Sequence, residues 1–89
     1  MDKLCEETIA IIQEIYDMSP CGGALHIVLD DGNTEDHHIA WCLMHSIPEI
    51  EDESDRSLYA QCAVNLIKLG TEKKRDSCIG EAFRRMEER

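Results

Sequence analysis

The chain has 89 residues, 19 acidic and 9 basic, for a net charge of −10 at pH 7 with neutral histidines. That length makes one domain, residues 1–89, with a modest core, and so acidic a balance argues against direct nucleic-acid binding, which needs a basic footprint. No apolar run is long enough to span a bilayer, and five cysteines (Cys5, Cys21, Cys42, Cys62 and Cys78) without a signal-peptide pattern point to a reduced cytoplasmic chain that needs no disulfide.

Residues 2–17 predict a helix. Leu4, Thr8, Ile11, Ile12, Ile15 and Tyr16 form a stripe at helical spacing, while Glu6, Glu7, Gln13 and Glu14 fall elsewhere. Cys5 borders the stripe. Ser19-Pro20 stops the helix, because the residue before proline avoids the α region. Leu25-His26-Ile27-Val28-Leu29 is apolar and partly β-branched between Gly22-Gly23 and Asp30-Asp31-Gly32-Asn33, which predicts a strand over 24–29. Leu25, Ile27 and Leu29 share one of its faces. Asp31-Gly32 is a turn dipeptide, and Asn33 or Thr34 can cap a following helix with Glu35 and Asp36 in its first turn.

That second helix is expected over 34–46. Ile39, Leu43 and Ile47 lie together, with Ala40 and Met44 on one flank and Cys42 on the other. Pro48 ends it. Residues 48–55 read as an acidic linker too charged to pack. Ser54 or Asp55 is placed to cap a third helix, 56–69, whose apolar face is Leu58, Tyr59, Cys62, Ala63, Leu66 and Ile67. Gly70 suits a left-handed C-terminal stop. Thr71 then caps a fourth helix, 72–87, with Cys78, Ile79, Ala82, Phe83 and Met86 inward. Cys62 and Cys78 act there as small hydrophobes.

The fold expectation is therefore an α+β domain that is mainly α, with four helices around one short strand. A single strand cannot satisfy its own backbone donors and acceptors. Two copies of 24–29 pairing antiparallel across a two-fold axis would do so, giving a homodimer with Leu25, Ile27 and Leu29 at the interface. Short pairing with a loop of the same chain is the alternative.

The run from Gly22 to Asp36 (Gly-Gly-Ala-Leu-His-Ile-Val-Leu-Asp-Asp-Gly-Asn-Thr-Glu-Asp), continued by His38-Ile39-Ala40-Trp41-Cys42, resembles a motif in a family of small bacteriophage and prophage proteins. The resemblance implies a small soluble accessory protein of phage type. It assigns no catalytic role to any residue.

Four kinds of chemistry can be weighed against the residues. His38, Cys42 and His45, at i, i+4 and i+7, fall on one side of a helix; with Cys21 or His26 they would make a tetrahedral zinc set. The paired ligand spacings of zinc modules are missing, and Cys42 borders the apolar face, so a core cysteine between two surface histidines is the plainer account. Asp30, Asp31, Glu35 and Asp36 offer oxygens to calcium or magnesium, but the EF-hand spacing fails and helix capping accounts for them. Cys21 with His26 or His38 has nucleophile and base, in an acidic setting that opposes the thiolate. Acids beside His37 or His38 resemble a hydrolase pair without a readable pocket.

The fourth kind is recognition. His37 and Trp41 are i, i+4 neighbours on the side away from Ile39, and tryptophan is a common anchor of interfaces; packing inside the bundle is its other expected fate. Residues 21–56 hold nine acids and one base, whereas residues 57–89 hold five acids and seven bases. The expected function is thus a non-enzymatic acidic interaction protein without a cofactor, using Asp30, Asp31, Glu35, Asp36, His37, Trp41, Glu51, Asp52 and Glu53. Its expected partner is a basic host protein, modulated or inhibited by mimicry of nucleic acid. The rival is a zinc protein, structural or hydrolytic, built on His38, Cys42 and His45. A structural subunit of a virion or other large assembly is a third possibility.

Overall fold

Each helical pattern in the sequence forms a helix in the computed structural model, which describes residues 3–18, 36–72 and 75–88. In chain order these are α1 (Lys3–Met18), α2 (Asp36–Ser46), a 3-10 turn (Ile47–Glu49), α3 (Glu53–Glu72) and α4 (Arg75–Glu87). The protein is mainly α. No strand occurs among the described residues. The expected strand 24–29, with Leu25, Ile27 and Leu29, lies outside them.

The longest helix, α3, is the hub: α1 and α2 pack along it, and α4 closes against α1 with a lesser contact to α3. Ile9, Ile12 and Ile15 of α1 share one core with Ile39 and Leu43 of α2 and Cys62, Leu66 and Leu69 of α3, all fully buried. Cys78 and Ala82 bring α4 into the same core. Burial of each large aliphatic side chain is worth about 1.5–3 kcal/mol.

The buried face of α1 is rotated from the expected stripe. Cys5 and Ile9 are inside, while Leu4, Ile11 and Tyr16 are only half-buried. Thr8 tolerates burial because its hydroxyl donates to the Leu4 carbonyl oxygen at 2.8 Å. On α3 the inward face likewise includes Leu69 and Asn65, whereas Ile67 is 38% exposed. The Asn65 Oδ1 accepts from Gln61 Nε2 at 2.8 Å. Its buried Nδ2 has no hydrogen-bond partner among the described residues.

Both ends of α3 also move. α3 begins at Glu53, so the last three residues of the expected linker are helical. Asp52, and not Ser54 or Asp55, caps it: the Asp55 amide donates to Asp52 Oδ1 at 3.1 Å, and the Arg56 amide to the Asp52 carbonyl oxygen at 3.1 Å. Glu53 and Asp55 then lie at the positive end of the helix, where acids are favoured. At the other end α3 runs through Gly70 to Glu72. Glycine permits a left-handed stop without imposing one. Thr71 is inside the helix, its hydroxyl donating back to the Ile67 carbonyl oxygen at 3.1 Å.

Cys5 of α1 and Cys78 of α4 are joined as a disulfide, with Cα atoms 5.5 Å apart. This overturns the expectation of a chain without disulfides. Helical faces that read simply as apolar carry both sulfurs to one point. Beside the link, Arg85 of α4 grips Glu6 of α1 with two hydrogen bonds, at 3.1 and 3.2 Å. Its Nε donates to Glu81 Oε1 at 3.0 Å, and Arg84 holds the other Glu81 oxygen.

Candidate functional site

The second helix separates its side chains cleanly. Ile39, Ala40 and Leu43 face the core, as their spacing predicts, and Ile47 follows them in partly. The opposite side is open: His37, Trp41, Met44 and His45 are exposed, with Trp41 57% and Met44 53% accessible. The inner face anchors the helix, so Trp41 stands on a fixed support while most of its indole meets solvent.

Two imidazoles lie beside the Trp41 indole. The imidazole of His45, one turn after Trp41, lies with its centroid 3.9 Å from the indole, tilted by 44°. The half-buried His38 ring has its centroid 6.4 Å from the indole and lies nearly parallel to it, at 20°. These neighbours limit the rotamers open to Trp41, which lowers the entropy lost when a partner immobilises it.

Cys42 is half-buried between the two faces, and its Sγ lies 3.6 Å from His38 Nε2. His38, Cys42 and His45 therefore share a side of the helix without converging. His38 meets the thiol, whereas His45 leans on the indole. Among the described residues no three His, Cys, Asp or Glu side chains are grouped to hold a metal ion. Cys21 and His26, the additional ligands considered, lie outside the described residues. So do Asp30, Asp31 and Glu35; Asp36 opens α2.

The outer stripe of α2 leads into Pro48 and Glu49 of the 3-10 turn, followed by Glu51, Asp52 and Glu53, all exposed. Ser46 completes the end of α2 by donating its hydroxyl to the Cys42 carbonyl oxygen at 3.0 Å. From Asp36 to Asp55 there is no lysine or arginine. An aromatic and thioether surface thus passes directly into acids. The sequence pointed to Trp41 and the acids, but Met44 and the stacking role of His45 were missed. Their signal was the i+3 and i+4 spacing from Trp41, which places all three on the outer face.

No family model matches the chain, and no curated protein or solved structure matches it. Among the described residues no helix is long and apolar enough to cross a membrane.

Proposed function

We propose that this protein is a non-enzymatic interaction module that docks on a basic surface of another protein. The observation that carries the reading is the exposed Trp41 on a helix whose other face is fixed in the core. Trp41 and Met44 supply the apolar anchor, with His37 and His45 beside it. Glu49, Glu51 and Glu53 supply the acidic rim. A desolvated aromatic anchor inside a polar rim is the arrangement that concentrates binding energy in protein interfaces. An uninterrupted acidic border selects a partner rich in lysine and arginine, and steers it.

In its sharpest form the proposal is a phage-type accessory protein of the host cytoplasm, acting as a homodimer. It would inhibit or modulate a host protein by covering a nucleic-acid-binding surface. Asp30, Asp31, Glu35, Asp36 and Asp52 add to the acidic surface in this reading.

The test is fluorescence anisotropy with a labelled peptide that alternates arginine and leucine. Saturable binding is expected, with Kd rising about tenfold or more on Trp41→Ala. Glu49→Lys with Glu51→Lys should weaken it too, and so should raising salt from about 50 to 200 mM. Failure of the peptide to bind, or binding indifferent to Trp41→Ala, overturns the α2 surface. Binding insensitive to salt removes the mimicry of nucleic acid and leaves an apolar docking module.

A further inference from the structure

The thiols of this chain differ sharply in their surroundings. Cys5 and Cys78 are consumed by their link to each other. Cys62 is fully buried in the core, and burial pushes its thiol up to about 12, which keeps it protonated and inert. Cys42 is only half-buried, and among the described cysteines it is the one with an imidazole nitrogen, His38 Nε2, at 3.6 Å from its sulfur.

We infer that Cys42 and His38 form a thiol-modification site, a nucleophile and its base, that takes up small disulfides as mixed disulfides. A thiol becomes a nucleophile when it loses its proton, and a neighbouring imidazole can receive that proton.

The step balances without any further reactant. His38 Nε2 receives the proton of Cys42, and the Sγ electron pair attacks one sulfur of the small disulfide. A new S–S bond forms on Cys42 as the old one breaks. The second sulfur leaves as a thiolate and takes the proton back from His38. One small disulfide is consumed and one small thiol is released, so the number of S–S bonds is unchanged.

The site adjoins the docking surface, since the His38 ring that receives the proton also stacks beside the Trp41 indole, but its thiol chemistry does not require a docked partner. An adduct there needs no unfolding, unlike any adduct on Cys62.

The test treats the whole protein with the neutral probe 2-hydroxyethyl disulfide and maps adducts against time by peptide mass spectrometry. Each cysteine, Cys21 included, is then read separately. Cys42 is expected to form the hydroxyethyl adduct while Cys62 stays unmodified, and His38→Gln should slow the reaction at Cys42 by about tenfold or more. Protection of Cys62 in the same spectra shows whether that variant remains folded. An unstructured peptide of residues 36–46, too short for a stable helix in water, gives a reference rate that does not depend on the variant. The inference is overturned if Cys42 in the folded protein reacts no faster than that peptide. It is equally overturned if a folded His38→Gln protein reacts at the parent rate.

Discussion

Arg85 holds two carboxylates at once, one from its own helix and one from the first helix. Hydrogen bonds from Arg85 and then Arg84 hold the Glu81 carboxyl below the usual carboxylate range, while Glu6 and then Glu81 raise the affinity of Arg85 for its proton. Because folding lowers the Glu81 value, its ionised form favours the folded state. That contribution is complete above the unfolded value of about 4.3 and is lost as pH falls through the lower folded value. Urea midpoints should therefore separate the parent from Arg85→Gln at neutral pH and converge below about pH 4. A gap that stays constant on acidification would assign the loss to packing of the Arg85 stem. Glu6 and Arg85 are 79 positions apart, so nothing local in the sequence pairs them. Trp41 was legible by contrast, because Ile39 and Leu43 fix the phase of their helix. Adjacent apolar residues Ile11 and Ile12 left the phase of α1 ambiguous, and that hid Ile9 and Cys5.

At the scale of elements, the four helices were readable from their apolar spacing, whereas their ends were set by competition between capping groups. Asp52, Ser54 and Asp55 are all good caps, and the choice of Asp52 lengthens α3 by a turn. Asp52→Ala should cost about 1 kcal/mol in urea denaturation, and Asp52→Asn much less, since asparagine keeps the accepting oxygen. Equal losses would show that charge at the helix end, and not the hydrogen bond, is what matters. The same dual role, shared by Glu53 in the first turn of α3, explains the choice of Glu49 and Glu51 for charge reversal in the docking test. Altering Asp52 would disturb the helix and the surface together. At its far end, α3 continues past Gly70, where a stop was expected. Composition alone does not set the outcome between a permissive glycine and the continuing backbone ladder.

The whole molecule is organised by α3 inside and by the Cys5–Cys78 link at the junction of α1 and α4. Spacing revealed that each sulfur belonged to a buried face, but not that the two faces meet there. Cross-linking residues so far apart restricts the unfolded chain, and reduction should lower stability by about 2–4 kcal/mol. Urea curves with and without reductant, set against Cys5→Ser with Cys78→Ser, measure it. A reductant effect that persists in the double variant would trace to another cysteine. The link also changes how the molecule bears tension. Pulled from its two ends, the chain passes force from residue 5 to residue 78 across the sulfur bridge, so α2 and α3 carry almost none of the load. A machine that threads polypeptide through a narrow pore would meet a closed covalent ring, and would have to admit two strands abreast until a reductant opened it.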